Sequence, residues 1–150
     1  MALSLTKSWF FFSALHLVCL ALALTICGIY GSYAHYDNGT KKFIYAIVVA
    51  SLSAVTSVVY FLPPVVRRAS LFAAIWNMIL FILWIIAFAI FAVVWLKYAP
   101  NQTRHIARMR SAVWVDLANA LLWLISSLAM FGYWWKHRDT RSQFTGRAHV

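Results

Sequence analysis

Four long apolar stretches, none containing a lysine or an arginine, occupy most of the chain: Trp9–Tyr33, Phe43–Leu62, Ala69–Leu96 and Ser111–Trp135. Crossing the ~30 Å hydrocarbon core of a bilayer takes about 20 apolar residues in an α-helix, so each stretch is long enough to span. Inside lipid there is no water for the backbone, and an isolated segment can satisfy its own amides only as a helix. The predicted fold class is therefore all-α, an integral membrane bundle of four transmembrane helices forming one domain over residues 1–150. Composition points the same way: 64% of residues are hydrophobic and 11% charged, against about half and about a quarter in soluble domains. Thirteen Lys and Arg against three acidic residues give a net charge of +10. The basic residues sit in the breaks between apolar runs, as in loops at a membrane surface, so membrane lipids with anionic headgroups are the expected partners and nucleic acid is not.

Each break has its own signal. Ala34–Lys42 carries Asp37, Asn38 and Gly39, a turn-like composition. Pro63 and Pro64 in "PPVVRR" deny backbone donors to a continuing helix, so the second span stops there. Lys97–Arg110 is expected to be the longest loop, and residues from Lys136 onward a short basic tail. At ~1.5 Å per residue the third span is ~42 Å long, so it tilts or projects. Lys7 before the first apolar run imitates a signal peptide. The run is longer than a typical signal core and lacks a convincing small-x-small cleavage site, so it reads as a retained span.

Four spans place both termini on one side. That side carries seven Lys/Arg and the other six, a difference too small to set orientation by positive charge. "NGT" at Asn38–Thr40 and "NQT" at Asn101–Thr103 are N-glycosylation acceptor patterns on the same side. Asn38 and Asn101 are thus candidate glycosylation sites, with those loops lumenal or extracellular and both termini cytoplasmic. The membrane is the plasma membrane or one of the endomembrane system. Aromatic residues fit the register as interface anchors. Trp9, Tyr60, Phe61, Trp76 and Tyr133–Trp135 fall toward one face, and Tyr30, Tyr33, Tyr36, Phe43, Tyr45, Trp95, Tyr98 and Trp114 toward the other.

Polar side chains within spans are costly and need partners. Four stand out as candidate structural polar contacts: His16, Asn77, Asp116 and Asn119. Asp116, Asn119, Trp123, Ser126/Ser127 and Met130 recur at three- to four-residue spacing, one stripe that should face the bundle. Candidate partners for Asp116 are Lys97, Arg110 and the Tyr45 hydroxyl. By depth His16 and Asp116 stand ~12 Å apart along the membrane normal, too far for one proton-transfer pair. His16 lies near the depth of Asn77, which suggests a hydrogen bond between them. Small residues line Ala46, Ala50, Ser53/Ala54 and Ser57 on the second span and Ala14, Ala21, Gly28 and Ser32 on the first. Such stripes pack helices within the monomer or, alternatively, support self-association as a homo-oligomer or with other membrane proteins.

Nothing in the sequence assembles a catalytic, cofactor or metal site. Cys19 and Cys27 lie ~12 Å apart on one helix, too far to pair, and no Cys-x-x-Cys or His-x-x-x-His spacing occurs. There are no paired carboxylates, no glycine-rich phosphate loop and no Ser-x-x-Lys. No enzyme activity and no cofactor are expected.

The runs "FIYAIVVASLSAVTSVVYFLPP", "LFAAIWNMILFILWIIAFAIFAVVW" and "RMRSAVWVDLANALLWLISSLAMFGYWW", in this order and with small loops between, resemble the MARVEL-domain proteins, in particular their fungal four-span members. The resemblance covers residues 5–138. It implies a tetraspan with cytoplasmic termini that acts without catalysis in membrane organisation or vesicle trafficking. Fungal members often carry cysteines in the loop between helices three and four; Lys97–Arg110 has none, so no loop disulfide is implied. The function expected is organisation of membrane domains, or a part in trafficking, through helix–helix and lipid packing. The alternative is a small transporter or channel subunit using Asp116, Asn119 and His16.

Overall fold

Each apolar stretch becomes one helix in the computed structural model, which describes residues 2–36, 41–62, 70–97 and 104–142, with side chains for 10–34, 41–62, 71–97 and 104–136. The elements are α1 (Ala2–Tyr36), α2 (Lys41–Tyr60), α3 (Ser70–Trp95) and α4 (Arg104–Ser142). All four are long and apolar enough to cross a membrane. The chain is therefore an all-helical, multi-pass integral membrane protein of four-helix-bundle form.

Helix boundaries depart from the sequence reading in one consistent way. The basic stretch Arg104–Arg110, expected as loop, is the first two turns of α4, and the expected tail remains helical to Ser142. α1 likewise starts at Ala2, ahead of Trp9. Lysine and arginine are good helix formers, so polarity here marks where a helix leaves the lipid and not where it ends. At ~1.5 Å per residue α1 and α4 reach ~52 and ~58 Å, well beyond a bilayer core, whereas α2 at ~30 Å just matches one. α2 does stop as expected. Phe61 and Leu62 donate to the carbonyls of Val58 and Val59 at 3.2 and 3.1 Å, tightening to i→i−3 spacing directly before Pro63.

The helices form a ring in chain order: α1 packs on α2 and α4, and α3 on α2 and α4. Every neighbouring pair is antiparallel. His16 and Tyr30 of α1 meet Ser126 and Asp116 of α4, and Tyr60 and Ser53 of α2 meet Asn77 and Trp84 of α3. The α3–α4 and α1–α2 seams are the most extensive, α2–α3 the least. Small residues explain the tight seams: Ala73, Ala74, Ala112 and Ala120 are buried, and Ser127 reaches the Ala74 carbonyl at 2.9 Å. Across the looser α2–α3 seam the bonds come from long aromatic side chains. Trp84 Nε1 donates to Ser53 at 2.8 Å, Trp76 Nε1 to Thr56 at 3.1 Å, and the Tyr45 hydroxyl to the Leu83 carbonyl at 3.0 Å.

Large apolar side chains face outward on every helix: Leu17 and Leu24 on α1, Val48 and Val55 on α2, Ile75 and Ile82 on α3, Leu121 and Leu128 on α4. Water tolerates no continuous apolar belt of this extent; lipid does. The two small-residue stripes part company. Ala46, Ala50, Ser53 and Ser57 of α2 are buried in the bundle, whereas Ala14, Ala21, Gly28 and Ser32 of α1 face outward.

Candidate functional site

The polar side chains of the spans gather in two layers inside the bundle. The first takes one residue from each helix. His16 Nδ1 lies 2.8 Å from the Phe12 carbonyl of its own helix, and a carbonyl only accepts, so Nδ1 carries the proton. In a neutral ring Nε2 is then the acceptor, and it receives the Ser126 hydroxyl at 3.3 Å. Ser126 Oγ accepts from Asn77 Nδ2 at 2.8 Å, and Asn77 Oδ1 accepts from the Tyr60 hydroxyl at 2.8 Å. The donors run in one direction, α2 to α3 to α4 to α1, and end on a backbone carbonyl. Aromatic rings hold the imidazole in place: Phe12 stacks on it at 5.0 Å, while Tyr60 and Trp123 stand edge-on at 4.9 and 5.7 Å.

This layer corrects the expected pairing of His16 with Asn77. The two share a depth but sit on α1 and α3, across the diagonal of the ring, and Ser126 bridges them from α4.

In the second layer, Asp116 is fully buried and its Oδ2 accepts the Tyr30 hydroxyl at 2.7 Å. The partner is thus none of the three expected. Tyr45 donates to Leu83 instead, and Tyr30, read as an interface anchor, lies wholly in the core. Its ring stacks on Phe91 at 4.3 Å and leans on Phe43 at 5.8 Å. Phe43, also read as an anchor, is buried with it. Tyr30→Phe should lower stability by about 1.5 kcal/mol, near the top of the range for interhelical bonds in membranes, because the carboxyl loses its one partner among the described residues. Chemical unfolding in lipid bicelles reads this, and a loss indistinguishable from zero would mean that the bond holds nothing.

The α4 stripe lies wholly inside. Asp116, Asn119, Trp123, Ser126, Ser127 and Met130 are all buried. Four polar atoms on it have no hydrogen-bond partner among the described residues: Asp116 Oδ1, Asn119 Oδ1 and Nδ2, and Trp123 Nε1. A buried polar group left unpaired costs about 1–3 kcal/mol, so this concentration on one helix face stands apart from the satisfied layer below it. Several other hydroxyls in the spans bond to their own helix, as Thr25 does to Ala21 and Ser57 to Ser53.

His16 and Asp116 do not share a site. His16 joins Ser126, ten residues along α4 from Asp116 and so ~15 Å away. A residue that sequence reading left out is His105 near the start of α4, whose ring contacts Tyr33 of α1 at 4.5 Å and Trp95 of α3 at 5.4 Å. Cys19 and Cys27 are free thiols; Cys19 is buried, and Cys27 lies near the Ile47 carbonyl and Ser51 of α2. Among the described residues no three His, Cys, Asp or Glu side chains gather as metal ligands would. Asn38 and Asn101, the candidate glycosylation sites, lie outside the described residues, as do Arg67 and Arg68. Compared with protein-family models, curated proteins and solved structures, the chain matches none.

Proposed function

We propose that this integral membrane protein is non-catalytic and organises membrane domains or takes part in membrane trafficking, through helix–helix and lipid packing. The observation that carries the reading is the chain Tyr60–Asn77–Ser126–His16, which uses its polar groups to tie the four helices to one another. Such a latch makes a stable body whose working surface is its outside, and that outside is apolar on all four helices. A lipid-facing groove of about 350 Å³ on the loose α2–α3 seam, lined by Leu52, Val55, Val59, Phe72 and Trp76, offers room for acyl chains. The outward stripe Ala14, Ala21, Gly28 and Ser32 supports close approach by a second copy or another membrane protein. A Cβ built on Gly28 meets nothing within 4 Å.

The resemblance to MARVEL-domain tetraspans supports the same reading. On this reading both termini face the cytoplasm, at the plasma membrane or in the endomembrane system. There Lys136, Arg138 and Arg141 each contribute about 1 kcal/mol of attraction to an anionic leaflet.

Live imaging of a tagged protein in a fungal host, with photobleaching, tests the proposal. Slow, stable patches are expected, and Asp116→Asn should leave trafficking largely intact. A uniform, freely diffusing signal would count against the reading. A second reading, a small transporter or channel subunit using Asp116, Asn119 and His16, draws on the unpartnered atoms of Asp116 and Asn119. Solute flux in proteoliposomes that Asp116→Asn abolishes would establish it in place of the first.

A further inference from the structure

The four unpartnered atoms on α4 belong to residues at i, i+3 and i+7, so they share one helix face over ~10 Å. All three residues are fully buried. Their inventory is balanced: Asp116 Oδ1 and Asn119 Oδ1 accept, while Asn119 Nδ2 and Trp123 Nε1 donate. A metal ion matches the two oxygens but is repelled by the two N–H groups. An anion matches the N–H groups but is repelled by a carboxylate, and an apolar chain satisfies nothing. Water both donates and accepts, and a buried water needs two to four polar partners.

The donor hydrogens of Tyr30, Ser126 and Trp84 are already used elsewhere. The Tyr30 hydroxyl is spent on Asp116 Oδ2, Ser126 both accepts and donates, and Trp84 is bonded to Ser53. We propose that Asp116, Asn119 and Trp123 form an internal water-binding site enclosed within the four-helix bundle. Tyr30, whose hydroxyl is bonded to Asp116 Oδ2, stands at its Asp116 end, with its own ring packed on Phe91 and Phe43 at 4.3 and 5.8 Å. The His16 ring, edge-on to Trp123, closes the other. This site does not depend on the function proposed above.

Two tryptophans supply their own control. Trp123 and Trp84 are equally buried, but the Trp84 N–H is bonded to Ser53 and that of Trp123 is not. X-ray radiolysis generates hydroxyl radicals from bound as well as bulk water and oxidises the side chains beside them. With the full-length protein in lipid nanodiscs, Trp123 should be oxidised several-fold faster than Trp84. Asn119→Leu should bring Trp123 down to the Trp84 rate. Equal rates for the two tryptophans in the unaltered protein would overturn the proposal, whatever the variant does. So would a Trp123 rate that changes when sodium is replaced by N-methylglucamine, because the occupant would then be a cation.

Discussion

Trp84→Ala is expected to lower the unfolding free energy of the bundle by about 3 kcal/mol, the low end of the range for deleting a buried tryptophan. Trp84 is fully buried and is one of the aromatic side chains that bridge the α2–α3 seam, its indole N–H on Ser53 at 2.8 Å. The low end applies because unfolded helices in a bilayer remain in an apolar medium, so no transfer from water is at stake. What is lost is dispersion against neighbours that cannot collapse into the space, together with one hydrogen bond. Trp84→Phe separates the two contributions: it keeps most of the volume and should cost about 1 kcal/mol. Steric-trapping or denaturant unfolding in bicelles measures both. Equal losses for the alanine and phenylalanine variants would mean that the hydrogen bond, and not the packing, closes this seam.

Asn77→Ala should be the most damaging polar substitution, at about 2 kcal/mol. Like the Ser126 hydroxyl, its amide makes interhelical side-chain bonds to two different helices, here α2 through Tyr60 and α4 through Ser126, and it is the larger side chain of the two. Interhelical bonds in membranes average about 0.6 kcal/mol and reach about 1.7; two of them, plus the small cavity, give the estimate. Part of the loss is recoverable, since the Tyr60 hydroxyl already stands 3.5 Å from the Ala73 carbonyl and can turn to it. Ser126→Ala also breaks two interhelical bonds, to Asn77 and to His16, but it deletes one heavy atom where Asn77→Ala deletes three, so the cavity and the loss should be smaller. If Ser126→Ala proves the costlier of the two, the order of importance along the chain is reversed.

Four apolar runs sufficed to read the number of helices, because helix is what an uncharged segment must adopt in lipid. The inward stripe Asp116–Asn119–Trp123–Ser126–Met130 was legible for a related reason: polar residues in a span mark the face turned away from lipid. The stripe Ala14–Ala21–Gly28–Ser32 was not. Lipid is as apolar as the bundle interior, so alanine and glycine carry no sign of which way they point, and these turn outward.

Tyr30 was misread because tyrosine suits an interface and a core equally well, provided its hydroxyl finds a partner. That partner, Asp116, is 86 residues away in sequence. Depth along each span brought His16 and Asn77 to the same level. The ring order of the helices, which no spacing records, set them on opposite corners and made Ser126 the bridge.

The most direct test of the account is a triple-mutant cycle on that bridge, with unfolding measured in bicelles. His16 and Asn77 lie on helices that do not adjoin, and the hydrogen-bond path between them runs through Ser126. Coupling of about 0.6 kcal/mol between His16→Phe and Asn77→Leu is predicted in the unaltered background, and none in the Ser126→Ala background. Coupling that persists without Ser126, or that is absent with it, would contradict the four-helix latch on which the account rests.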